Sequence, residues 1–215
     1  MARIWQTGFE LGSNSIFDVQ QGAGSPSSSP TRGSWSAYSS GSLNSSIASL
    51  PGNFAEIYGG FGIRRGGEFS INPISFGDAN TDQLRLYVSS TGTLEVRRGD
   101  GTSLGIGTIV LTDLTWVFVE FHFTISDTIG VIDTKVNGVT DLALTNKDTK
   151  NTANAFVNQI RIDTGGGIVL RLDDIVVNDT TTAQNNSFPT DTKITALIPN
   201  AVGDRKSTRL NSSHS

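Results

Sequence analysis

Apolar and polar residues alternate with a period of two along most of this chain, and the 3.6-residue period of an amphipathic helix is nearly absent. Successive side chains of a strand point to opposite faces, so this alternation buries one face and leaves the other polar. The middle of the chain carries it most clearly. QLRLYVS (Gln83–Ser89) and TLEVRR (Thr93–Arg98) alternate strictly around Ser90–Gly92, which predicts a hairpin. TWVFVEFHFTI (Thr115–Ile125) predicts a long strand with Trp116, Phe118 and the even positions beyond on one face. Gly130–Val136 and Val139–Leu144 flank Asn137-Gly138, a dipeptide suited to the positive φ angles of a two-residue hairpin turn. Phe156–Asp163 and Ile168–Asn178 close the set, on either side of Gly165–Gly167.

The first part of the chain is less regular. Ile4–Phe9 predicts a short strand, Phe54–Arg64 a strand whose Gly59-Gly60 pair suggests a bulge or close backbone contact, and Phe69–Phe76 another with Pro73 marking an edge or irregular start. Thr108–Leu111 predicts a short strand as well. Gln20–Ser49 is rich in Gly, Ser and Pro and is expected to be mostly loop, with Ser34–Ser40 as an edge strand. Asn146–Ala155 is the one place for a short helix or ordered loop. Many short strands joined by such turns predict an all-β sandwich or jelly roll.

Composition agrees and removes several function classes. There are 24 glycines and no cysteine, which excludes a disulfide framework, a thiolate metal site and a cysteine nucleophile. The chain has 16 Lys and Arg against 20 Asp and Glu. Its final stretch, DRKSTRLNSSHS (Asp204–Ser215), coincides through His214 with a one-frame translation of a common short-read sequencing adapter, and we set residues 204–215 aside as an artefact. Without it the balance is 13 against 19. A mildly acidic chain lacks the clustered cations that phosphate-backbone binding needs, so no nucleic-acid partner is expected. No apolar run is long enough to span a bilayer, so no membrane partner is expected either. MARIWQTGFELG has no apolar stretch behind its one Arg, so no signal peptide is expected.

The order of pieces from Leu84 to Asn178 resembles the concanavalin A-like, laminin-G-type jelly roll. The residues that carry it are VSSTGTLEV (Val88–Val96), WVFVEFHF (Trp116–Phe123), DTIGVIDTKVNG (Asp127–Gly138) and LDDIVV (Leu172–Val177). The resemblance implies a β-sandwich of two antiparallel sheets over residues 1–180. The segment beyond is similar to one common in tailed-phage virion proteins, with Asn186, Phe188, Asp191, Lys193–Ala196 and Leu197–Gly203 in corresponding places and Pro189-Thr190 where that pattern has glycine. Residues 181–203 are therefore expected to begin a further segment. The resemblance implies a non-enzymatic structural protein of a bacteriophage particle, acting through contacts with other virion proteins and through adhesion to host glycans, with homo-oligomers among its expected assemblies. The alternative is a carbohydrate-binding module of a bacterial surface or secreted protein.

Candidate sites are few. Asp173-Asp174 is the conspicuous acidic pair; adjacent strand residues point to opposite faces, so one is expected inside, hydrogen-bonded, and the other toward solvent or calcium. Calcium is the only cofactor the sequence offers, with Asp78, Asp82 and Asp163 as assisting turn acids. Trp35 and Tyr38 are the candidate surface aromatics for stacking on a sugar, whereas Trp116 is expected in the core. His122 is the only histidine before the tail and lacks a partner for a triad or metal site. Glu95 is followed by Arg97 and Glu120 by His122, so neither strand carries the second carboxylate that glycoside hydrolysis needs on the same face. Arg98-Gly99-Asp100 spells an adhesion tripeptide but reads as turn chemistry, and Arg64-Arg65 and Arg97-Arg98 as solvated hairpin ends.

Overall fold

The structure, a computed structural model, describes residues 3–10, 13, 15–21, 25–28, 31–34, 36–38, 45–164, 169–181 and 185–195. Among these, every regular element is a strand: β1 (Arg3–Thr7), β2 (Val19–Gln21), β3 (Ser25–Ser27), β4 (Ser36–Tyr38), β5 (Ser45–Phe54), β6 (Glu56–Gly66), β7 (Ile71–Asp78), β8 (Thr81–Val88), β9 (Thr93–Arg98), β10 (Ser103–Val110), β11 (Val117–Thr124), β12 (Gly130–Val136), β13 (Val139–Lys147), β14 (Val157–Asp163) and β15 (Val169–Asn178). They form two antiparallel sheets. The first runs β13-β12-β11-β6-β15-β4-β3, with β1 also paired to β15; the second runs β10-β9-β8-β7-β14-β5-β2. This is the all-β, concanavalin A-like jelly-roll sandwich that the alternation and the resemblance predict.

Between the sheets lies one apolar core built from alternate residues of each strand. Leu84, Leu86, Val88, Leu94 and Val96 come from the β8–β9 hairpin, and Val119, Phe121 and Phe123 from β11, all fully buried. Phe76 of the second sheet packs on Phe121 of the first with ring centroids 4.9 Å apart, an offset geometry that aromatic pairs favour. The Asn137-Gly138 turn has φ of 49° and 78° at its two residues, as the hairpin requires.

Three expectations change. Ser45–Phe54, assigned in part to a loop, is a ten-residue strand paired to β14 and β2; its serines and Pro51-Gly52 conceal the alternation. Ser36–Tyr38 is not an edge, because β15 and β3 pair with it on either side. Trp116 is half-buried and lies outside the core, since it precedes β11 and the even face of that strand points away from the interior.

The 148–156 region is an ordered loop, tied down by fully buried Gln83. Gln83 Oε1 accepts the backbone N–H groups of Asn151 and Thr152, and Nε2 donates to Thr152 Oγ1 and to the carbonyls of Asn154 and Phe156.

Residues 188–195 lie back across the outer face of the first sheet as a strap. Phe188 meets Tyr58 edge-on at 5.5 Å, Thr190 N–H donates to the buried Glu120 carboxylate at 2.9 Å, and Ile194 N–H donates to Asp174 Oδ1 at 2.6 Å. Gly60 must be glycine here, because a Cβ would sit 2.7 Å from Phe118 and 3.1 Å from Pro189. Phe118 on this face is 1% exposed although it faces away from the core, and the Arg32 guanidinium lies 5.1 Å over its ring.

Candidate functional site

The two outer faces of the sandwich differ in kind. The first sheet's is closed by the strap and its clasp. Strand β15 changes neighbour along its length, pairing with β4 at Arg171 and Leu172 and with β1 from Ile175 onward. A β-bulge with Asp174 at φ 49° marks the change. The extra residue breaks the strand's alternation, so Asp173 and Asp174 do not point to opposite sides as expected. Both are fully buried and both hold Arg32: Asp173 Oδ2 accepts its backbone N–H at 3.0 Å, and Asp174 Oδ2 accepts its Nε–H at 2.8 Å. Asp173 Oδ1 accepts Asp174 N–H, so each of the four carboxylate oxygens meets an N–H donor. The Arg32 guanidinium continues to Asp191 of the strap. Burial pushes the Asp173 carboxyl up to about 7, with the nearby charges of Asp174 and Glu10 adding to it.

Also on this face, His122 stacks flat on Tyr58 at 4.0 Å, with Nδ1 2.9 Å from Asp133 and Nε2 2.8 Å from Glu56. Both ring nitrogens are engaged by carboxylates of the chain itself, which hold the ring flat against Tyr58.

The second sheet's outer face is open and polar. The cross-strand register aligns Arg97 of β9, Arg85 of β8, Ser75 of β7 and Arg161 of β14 in one row. With strands about 4.8 Å apart the row spans about 14 Å. Carboxylates lie beside it. Arg97 bonds Glu95 at 2.7 Å, and Asp82 takes Arg85 at 2.8 Å and Arg161 at 3.6 Å. The Arg97 guanidinium lies 3.5 Å over the Tyr87 ring, a cation–π stack. The hydrogen bond from Arg97 holds the Glu95 carboxyl below its ordinary range. At the far end of the row Ser45, Ser70, Asn72, Arg161 and Asp163 line an open groove of about 440 Å³ floored by Ile47 and Ile71. Burial raises the Asp163 carboxyl above its usual range. Asn72 Oδ1, Arg97 Nε and Arg161 Nε are buried without hydrogen-bond partners within the chain, a state polar groups rarely hold unless something else completes them.

The candidates read from sequence do not assemble here. Asp173 and Asp174 belong to the first sheet, whereas Asp78, Asp82 and Asp163 belong to the second and are bonded there, Asp78 by Thr152, Asn154 and Asn158. They do not converge on one cation, and among the described residues no group of three or more His, Cys, Asp or Glu side chains is placed to hold a metal. Trp35 lies outside the described residues; of Tyr38 only the backbone is described, paired with Arg171 and Ser25. Arg98 of the adhesion-like tripeptide is bonded to Asp100 and Asp148, so its turn is closed on itself. Arg97, read as a solvated hairpin end, is part of the row. Arg85, Tyr87 and Arg161 were missed, although they occupy the non-core positions of strands the alternation predicted.

No protein-family model and no curated protein matches the chain by sequence. Solved structures match its fold. The chain is similar to a Bacillus subtilis protein with a galectin-like fold, at 11% identity over 83% of this chain and 96% of that one, with a TM-score of 0.59. It is similar to domain 4 of the extracellular arabinanase AbnA from Geobacillus stearothermophilus, solved with arabinotriose, at 10% identity over 82% and 92% and a TM-score of 0.57. It is also similar to the binding domain of botulinum neurotoxin DC in complex with SialylT, at 12% identity over 82% of this chain and 48% of that one, again with a TM-score of 0.57. At these identities the likeness establishes the fold: a jelly roll of the galectin-like kind.

Proposed function

We propose that this chain is a lectin-like module that binds an oligosaccharide on the outer face of its second sheet. The observation that carries the reading is the in-register row Arg97–Arg85–Ser75–Arg161, flanked by Tyr87, Glu95, Asp82 and Asp163 and ending in an open groove. Planar guanidinium groups, carboxylates and a ring on a rigid sheet are the groups that sugar hydroxyls and ring faces engage. Two of the similar folds, the arabinanase domain and the neurotoxin domain, were solved with glycans, which supports the reading for a jelly roll but does not carry it. The first sheet's face is crossed by the chain's own strap, and the groove of about 350 Å³ beside β1 and Ile194 on that side has no arginine among its lining residues. A glycan array with calorimetry on the strongest hit tests the proposal. Binding is expected, and Arg85→Ala with Arg161→Ala is expected to weaken it by about tenfold or more, one or two charge-assisted hydrogen bonds. Binding that ignores both substitutions sinks this placement of the site. Because Asp173 and Asp174 already meet N–H donors, calcium chelation is expected to leave binding unchanged.

For the setting, the residue pattern over 186–203 favours a tailed-phage particle, in which the module would contact other virion proteins and a host glycan. Portal, terminase or tail-tube genes beside the coding sequence are expected. Polysaccharide-utilisation genes there would instead make it a module of a bacterial surface or secreted protein.

A further inference from the structure

We infer that the ligand of this face is an uncharged oligosaccharide, long enough to cross several strands, rather than an acidic glycan. The inference rests on the lectin-like reading and narrows it. A face built to capture a carboxylate, sulfate or sialic acid needs a guanidinium or ammonium whose charge is not already matched. Here the three guanidiniums of the row face three carboxylates: Arg97 is paired with Glu95, Arg85 with Asp82, and Arg161, 3.6 Å from the same Asp82, also interacts with Asp163 beside it in the groove. Glu95 and Asp82 are themselves 7% and 8% exposed. An anionic sugar would have to take Arg97 or Arg85 from a carboxylate that then stays buried without its cation, an outcome that costs several kcal/mol in folded proteins.

A hydroxyl group has the opposite requirement. It both donates and accepts, and a guanidinium–carboxylate pair presents an acceptor and donors side by side, so a sugar diol can bridge the pair without breaking it. Two partnerless atoms belong to side chains that line the groove and suit the same ligand, since Asn72 Oδ1 accepts and Arg161 Nε donates. The apolar elements are placed for the C–H faces of sugar rings. Ile106, 60% exposed, stands opposite Glu95 at one end, and Ile47 and Ile71 floor the groove at the other. Because these features are spread over about 14 Å, a single ring reaches only one end of the row.

The test is a comparison of neutral, uronate-containing, sialylated and sulfated oligosaccharides on the full chain, at low and high salt, with the neutral ligand also presented as its monosaccharide. The neutral oligosaccharide is expected to bind about tenfold or more tighter than its monosaccharide. Its affinity is expected to change less than about twofold with salt, because screening acts on net charge pairs between ligand and protein. Arg85→Ala and Arg161→Ala should each weaken it, and circular dichroism establishes that the variants are folded. A tenfold preference for acidic glycans, or a steep loss of affinity with salt, overturns the inference while leaving the lectin reading intact. No binding to any glycan overturns both.

Discussion

With its carboxyl pushed up to about 7 by burial, Asp173 couples the stability of the clasp to pH. In the unfolded chain the group titrates near 3.8. Between about 4 and about 7, therefore, the folded chain holds a proton that the unfolded chain has released, and ionising the group works against the fold. The contribution runs in the direction opposite to that of a salt-bridged carboxylate: stability falls as pH rises through that window and levels off above it. Asp173→Asn removes the titration while keeping an oxygen for the Arg32 or Asp174 N–H group. We expect the melting temperature of the wild-type chain to drop from pH 5 to pH 8 by more than that of Asp173→Asn. Equal drops in the two proteins would show that Asp173 does not titrate in this window. Glu95, which Arg97 holds low, contributes with the reverse sign, so the comparison between the two proteins, and not the wild-type slope alone, carries the test.

Strand β10 shows how an element at the border of a sheet is protected. An edge strand offers unpaired N–H groups to other chains. Here the Asp141 side chain of β13, in the opposite sheet, reaches over and accepts the N–H groups of Thr108 at 2.8 Å and Ile109 at 2.9 Å. The register of β10 on β9 is irregular between Ile106 and Val110, where this contact falls. Asp141→Ala is expected to cost about 0.5–1.5 kcal/mol in chemical denaturation, the net range for hydrogen bonds of exposed and half-buried groups, and to raise light scattering on heating. A variant as stable and as soluble as the wild type would mean that the edge needs no such cover. The elements were legible in the sequence wherever apolar and polar residues alternate, as in β8, β9, β11, β12 and β13. They were illegible where serines and a proline replace the alternation, as in β5. The groove row was half legible: Arg85, Tyr87, Glu95, Arg97 and Arg161 sit on the polar phase of strands the pattern exposes. What no local pattern encodes is the cross-strand register that brings residues 85, 97 and 161 into one line. The Asp173–Asp174 clasp was misread for a related reason, since a non-glycine residue at positive φ leaves no local signal that strand alternation will break there.

At the scale of the whole molecule, the strap belongs to the folded body. Ending the chain after residue 187 would remove Phe188 from Tyr58 and leave Glu120 and Asp174 each short of a donor. We expect that truncation to lower the denaturation midpoint and to admit protease cleavage on the first sheet, while any glycan affinity of the folded fraction stays within about twofold of the full chain, because the two faces share no side chain. Unchanged stability would make the strap a passive tail. Its position has a further consequence. Thr195, its last described residue, lies beside Thr7, Gly8 and Phe9 on the first sheet's side of the sandwich. Whatever follows it sets out from the side away from the Arg97–Arg161 row. Anchored through that end, to a support or to a larger assembly, the module would face outward, with the Arg97–Arg161 row turned to the medium and its strapped surface toward the anchor.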